Sequence, residues 1–176
     1  MNKDMSKPLV IVESPTKVKT ISKILGSEYI VKSSVGHIRD LPRNAKAIPT
    51  NFSNKEIYWG AVKPNYENIY VIPDDRKKIV NELKKFADNA PDVFLATDDD
   101  REGEAIAYHL KESLELKIEP KRIKFNEITE AAVTNAINNP ETIDIGKFKS
   151  YEARRTLDRM IGYEISPKVR DLGGAF

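Results

Sequence analysis

The chain has 176 residues, 40% of them apolar, and its 29 Lys and Arg against 27 Asp and Glu leave a net charge of +2. That length suits one ordinary soluble domain with its own core, and no run approaches the roughly 18 consecutive apolar residues of a membrane span. The start, Met1-Asn2-Lys3-Asp4, lacks the apolar stretch of a secretory signal, so the chain is expected in the cytoplasm. Without cysteine, and with only His37 and His109, disulfides and thiolate metal sites are excluded and a histidine-based zinc site is disfavoured. Any metal is expected on oxygen.

In chain order, Leu9-Val10-Ile11-Val12 reads as a buried strand. Glu13 follows, then a helix with Ser14 as N-cap and Pro15 in its first position, an apolar face of Val18, Ile21, Ile24 and Leu25, and Gly26 as the stop. A second strand is predicted over 28–35, closed by Gly36 and the turn-like Arg39-Asp40-Leu41-Pro42. Residues 43–68 are polar and broken by Pro49, Gly60 and Pro64; a partly ordered insertion or mobile loop is expected there. Asn68 to Ile72 suits a strand or extended lead-in. Asp74 or Asp75 then caps a helix carrying Ile79, Val80, Leu83, Phe86 and Ala87 on one face.

Val93-Phe94-Leu95-Ala96 is the next buried-strand candidate, followed by a helix using Ala105, Ile106, Leu110 and Leu114. Ile123 and Phe125 mark a short strand, and Thr129 caps a helix through Asn138. Strands alternating with helices predict an α/β fold with a mainly parallel sheet, whose ligands belong at the carboxyl ends of the strands. From about 144 the strand signal stops, and one long helix is predicted with Phe148, Tyr151, Leu157 and Ile161 as anchors. The expected division is 1–143 as the α/β domain and 144–176 as the start of a second, with the chain cut inside a larger protein.

Asp98, Asp99, Asp100, Glu102 and Glu104 fall within seven positions. In an extended segment Asp98, Asp100 and Glu102 share one side, and carboxylates facing one point suit Mg²⁺. Glu13, from a neighbouring strand end, makes a fourth acid, as ligand or as proton donor and acceptor. Acids at a helix N-terminus are also favoured by the macrodipole, so capping by Asp98 or Asp100 is the other reading. Lys17, a cation in the first turn of a helix, suggests a phosphate seat facing the acids, although an exposed lysine is cheap almost anywhere. No phosphate-binding glycine pattern occurs, and Gly103 stands alone.

The stretches LVIVESPTK (9–17), SSVGHIRDLP (33–42), VFLATDDDREGEAIAYHL (93–110), IKFNEIT (123–129) and EARRTLDRMIGYEISP (152–167) resemble, in order, the N-terminal portion of bacterial DNA topoisomerase I, a type IA enzyme. The first four resemble its Toprim module, a Rossmann-like metal-binding domain shared with primases and related nucleases. The resemblance implies Mg²⁺-dependent, ATP-independent relaxation of negatively supercoiled DNA, through a tyrosyl-phosphate nick in one strand. It implies Glu13 beside the scissile phosphate, Lys17 as a phosphate contact, Asp98, Asp100 and Glu102 with Glu13 as Mg²⁺ acids, and His37 assisting or bracing the site. His109 is read as structural.

Arg154, Arg155, Asp158 and Tyr163 resemble the start of the helical domain that binds single-stranded DNA; an Arg154–Asp158 pair on a plain helix is the simpler reading. The implied partners are DNA and the remaining domains of the same enzyme, with the chain itself a monomer in the cytoplasm near the nucleoid. Asp99 stands where an apolar residue or proline is more familiar. No motif for the catalytic tyrosine occurs, so the chain alone is expected to be inactive. The alternatives are a stand-alone Toprim nuclease or primase-like protein and a non-catalytic nucleic-acid-binding module.

Overall fold

The computed structural model describes residues 7–171. Strand β1 (Leu9–Val12) is buried throughout, as a continuous apolar run demands. Ser14 takes the extended N-cap conformation before helix α1 (Pro15–Leu25), and Gly26, at φ 62°, ends it. Strand β2 is Ile30–Ser33. Three two-residue strands follow: β3 (Ile57–Tyr58), β4 (Ala61–Val62) and β5 (Glu67–Asn68).

Helix α2 (Asp74–Ala87) starts from Pro73 rather than from an aspartate cap, and Asp74 and Asp75 lie in its first turn, where the helix dipole favours negative charge. Then come β6 (Val93–Ala96), α3 (Arg101–Leu114) and β7 (Lys121–Arg122). The last strand falls just before its predicted position, although Ile123 N–H still donates to Leu95 C=O at 3.0 Å. Helix α4 (Glu130–Asn138) carries the predicted cap, with Thr129 Oγ1 accepting from Ala132 N–H at 3.3 Å. Helix α5 (Ile145–Met160), a π-helical turn (Ile161–Ile165) and α6 (Ser166–Asp171) complete the described chain.

The chain divides into two compact units, 7–39 with 72–148, and 40–71 with 149–171. In the first, four strands run parallel in the order β2-β1-β6-β7. Alternate residues serve opposite faces. Leu9, Ile11, Val93 and Leu95 pack with Leu83 of α2 and Ile106 and Leu110 of α3; Val10, Val12, Phe94 and Ala96 pack with Ile21 of α1 and Ala136 of α4. Burial on both faces explains why β1 and β6 show no polar alternation.

Within 43–68, expected as a partly ordered insertion or a mobile loop, β3, β4 and β5 form a small antiparallel sheet, and Asp40 and Val71 close the segment with a pair of backbone hydrogen bonds. This segment is grouped with 149–171. Side chains of α5 make the join. Arg155 forks onto Asp40, with Nη2 at 2.9 Å from both carboxylate oxygens. Buried Arg159 donates to the carbonyls of Pro42 and Leu41 at 2.9 and 3.3 Å, and Thr156 Oγ1 lies 2.7 Å from Asn68 Oδ1. These polar links carry no periodic signature, which is why composition reads the segment as loop.

Candidate active site

Val12 stands in register with both Ser33 and Ala96, so the segments leaving β1, β2 and β6 start level. Beyond those ends α1 leads back to β2 while α3 leads on to β7, and adjacent loops running in opposite directions open a crevice. A cavity of about 380 Å³ lies there, lined by Glu13, Ser14, Val35, Asp98, Asp100 and Glu102 among others. Val35 holds φ 57°, a strained conformation for a β-branched residue, and its carbonyl accepts from Arg76 Nη1 at 2.7 Å.

Each acid of the cluster has its own partner. Lys17 places its ammonium between Glu13 Oε1, at 2.5 Å, and Asp98 Oδ1. Asp99 Oδ1 meets Lys147 Nζ at 2.7 Å. Asp100 Oδ1 accepts from Gly103 N–H at 2.7 Å as the N-cap of α3. Glu102 Oε1 lies 3.4 Å from His37 Nε2, and Glu104 is fully buried against Arg122. The predicted alternation of Asp98, Asp100 and Glu102 along an extended strand does not occur, because the chain turns into α3 at Arg101. The three nevertheless line one cavity with Glu13.

Among the described residues, the polar side chains lining the cavity are four carboxylates and the Ser14 hydroxyl, oxygen donors that suit a hard cation such as Mg²⁺, and Mg²⁺ needs no more than one or two protein carboxylates beside water and phosphate oxygens. Among the described residues no three His, Asp or Glu already converge as a metal cage.

Gly103, unremarkable in sequence, is what lets the acidic turn close. A Cβ there would lie 2.1 Å from the Asp98 carbonyl oxygen, while the Gly103 carbonyl accepts from Thr97 Oγ1 at 2.7 Å. Gly103→Ala is expected to cost about 1–3 kcal/mol, read as a lowered denaturation midpoint in urea.

Burial raises the Glu13 carboxyl above its ordinary range, reinforced by neighbouring Asp98 and opposed by Lys17. Burial acts in the same direction on Asp98, but hydrogen bonds with Lys17 and Glu13 outweigh it and hold that carboxyl low. Two neighbouring carboxyls pushed apart make a proton holder of one and a standing charge of the other. A raised folded-state value means that Glu13 contributes stability below the ordinary carboxylate range, and that this contribution is lost as pH rises through the folded value. Glu13→Gln is therefore expected to melt higher than the parent chain at pH 7, with the difference vanishing towards pH 4, as thermal melts across that range will show.

Arg122 is the functional-site residue that sequence reading misses. Fully buried, its Nε donates to Glu104 Oε1 at 3.1 Å, Nη1 to the Thr97 and Ile123 carbonyls at 2.9 and 2.6 Å, and Nη2 to the Asp98 carbonyl at 2.8 Å. It thereby fixes the turn that carries Asp98. The available signal was Glu104 itself, a carboxylate inside Gly103-Glu104-Ala105-Ile106-Ala107 that no apolar helix face tolerates without a buried cation. His109 is structural as expected: fully buried, with burial pushing its imidazole down to about 3.

In the second unit Arg154 is two-thirds exposed, 3.7 Å from Asp158. Arg155 is committed to Asp40, and Tyr163 is half exposed in the π-helical turn.

A family model for the Toprim domain matches residues 8–128. The chain belongs to the Toprim family. This Toprim chain is 49% identical over 163 residues to DNA topoisomerase 1 of Mycolicibacterium smegmatis, covering 90% of this chain and 17% of that protein. To DNA topoisomerase 1 of Synechocystis sp. it is 46% identical over 167 residues, 93% of this chain and 18% of the other. Full-length topoisomerase I from Thermotoga maritima superposes with a TM-score of 0.78 at 38% identity, covering 92% of this chain and 26% of that one. The Toprim chain thus spans under a fifth of the length of these curated relatives. No described helix is long and apolar enough to cross a membrane.

Proposed function

We propose that this chain is the Toprim segment of a type IA DNA topoisomerase, which relaxes negatively supercoiled DNA without ATP by cleaving and resealing one strand. The observation that carries this is the pair Glu13 and Asp98, delivered by level ends of adjacent parallel strands and held around the ammonium of Lys17. Glu13, with its carboxyl kept high, gives its proton to the ribose 3′ oxygen at cleavage and takes it back at religation. Lys17 turns from the carboxylates to a non-bridging phosphate oxygen, and His37 braces Glu102.

Asp98, Asp100 and Glu102, joined by Glu13 when its carboxyl is deprotonated, would hold Mg²⁺, which would supply Lewis-acid stabilisation of phosphate charge. Arg154, with Asp158 and Tyr163, serves the single strand; Arg155 acts there by shaping the unit through Asp40. Among the described residues no tyrosine lines the cavity, so the nucleophile comes from another domain of the enzyme. Acting on chromosomal DNA, the protein would reside in the cytoplasm with the nucleoid, and the chain alone is expected to be monomeric and inactive.

A chimera tests this. The chain replaces its 163-residue counterpart in the Mycolicibacterium smegmatis enzyme, and plasmid relaxation is followed with Mg²⁺. Relaxation is the expected result. A folded chimera that cannot relax DNA contradicts the proposal, and DNA hydrolysis by the isolated chain favours a nuclease instead.

A further inference from the structure

Residues 40–71 and 149–171 hold ten Lys and Arg against seven Asp and Glu, a net +3, more than the +2 of the whole chain. In this basic unit aromatic side chains gather. The indole of Trp59 stacks on Tyr163 with centroids 4.8 Å apart and planes 20° from parallel, and Tyr58 meets Trp59 and Tyr66 edge-on at 6.2 and 6.1 Å. Yet Trp59, Tyr66 and Tyr163 remain 38%, 42% and 49% exposed. Cations flank the rings: the Arg159 guanidinium lies 5.5 Å from the Tyr163 centroid, and the Lys63 ammonium 5.0 Å from that of Tyr58.

The backbone is irregular at the same places. Trp59 and Tyr66 hold φ 51° and 55°, the left-handed region that bulky side chains avoid and that persists mainly where function requires it. Tyr163 sits in the π-helical turn, a distortion frequent at functional sites. Trp59 Nε1 donates to Glu164 Oε1 at 3.3 Å, which fixes the rotation of the indole against Tyr163. Three unusual backbone positions thus keep three rings at the surface of a cationic unit, where a hydrophobic core would have drawn them in.

We propose that Trp59, backed by Tyr163, is a stacking platform for an unpaired base of single-stranded DNA. Flat rings accept any base by its π-face, and an exposed cation of the same unit, Arg154, meets the phosphates; a base stacked within a duplex has both faces covered and cannot use the platform. The inference rests on the DNA-acting reading above and adds Trp59 to it.

Trp59 is the single tryptophan of the chain, so its emission reports this site alone. A thymidine oligonucleotide of roughly 10 nucleotides, within the usual span of such sites, is titrated into the chain while emission is followed; a fluorescein-labelled copy reports binding by anisotropy. Saturable quenching along the same isotherm as anisotropy is expected. Trp59→Ala should weaken binding about fivefold or more, the equivalent of one stacked base, and Trp59→Phe should keep most of the affinity. Binding without a change in Trp59 emission, or unaltered or tighter binding by Trp59→Ala, overturns the platform and leaves the proposed function standing. Absence of any binding at low salt overturns both.

Discussion

Arg122→Met is expected to destabilise the chain by about 3 kcal/mol, the lower end of the cost of breaking a buried ion pair, because Glu104 keeps Lys124 Nζ at 3.3 Å and the Asp144 N–H at 3.1 Å. Both partners have no exposed side-chain surface, so water cannot rescue Glu104. The carbonyls of Thr97, Asp98 and Ile123 lose a shared donor as well, two of them, Thr97 and Ile123, in bonds that are buried. At roughly 2–4 °C per kcal/mol for a chain of this size, the melting temperature should fall by about 10 °C. Arg122→Met combined with Glu104→Leu should recover much of that loss, because the buried charge goes with its partner. A single variant within 1 kcal/mol of the parent in urea denaturation would show that the pair does not organise this end of the sheet.

The second large effect concerns Glu13. In the relaxing chimera, Glu13→Gln is expected to lower the rate about 10²- to 10⁴-fold, the usual contribution of a positioned proton donor, although the same substitution stabilises the fold at pH 7. Opposite signs for activity and stability mark a residue kept for chemistry at some expense to the fold. The two measurements together separate this from simple misfolding, which would lower both. Equal rates for parent and variant chimeras would remove Glu13 from the proton path.

What the sequence discloses follows the range of the interactions. Leu9–Val12 and Val93–Ala96 are apolar runs followed at once by acids, so strand, buried sheet and site at the strand ends are all readable locally; Thr129 as a cap is equally local. Asp100 caps α3, the local reading, and also lines the cavity. The partners of the other acids are long-range: Lys17 lies 81 positions from Asp98, and Lys147 48 from Asp99. No pattern within a helix or strand predicts such pairs. Residues 43–66 were only partly legible, for another reason. Strands of two residues have no period to detect, and positive φ at Trp59 and Tyr66 runs against the turn preferences of those residues.

The most direct test is a Mg²⁺ titration of the chain followed through its backbone amide NMR signals. Millimolar Mg²⁺ should shift the amides of Glu13 and Asp98 to Gly103 along one saturable curve, release Lys17 from Asp98, and leave the Trp59 amide in place. Amides at Glu13 and 98–103 that stay still at saturating Mg²⁺ would contradict the account.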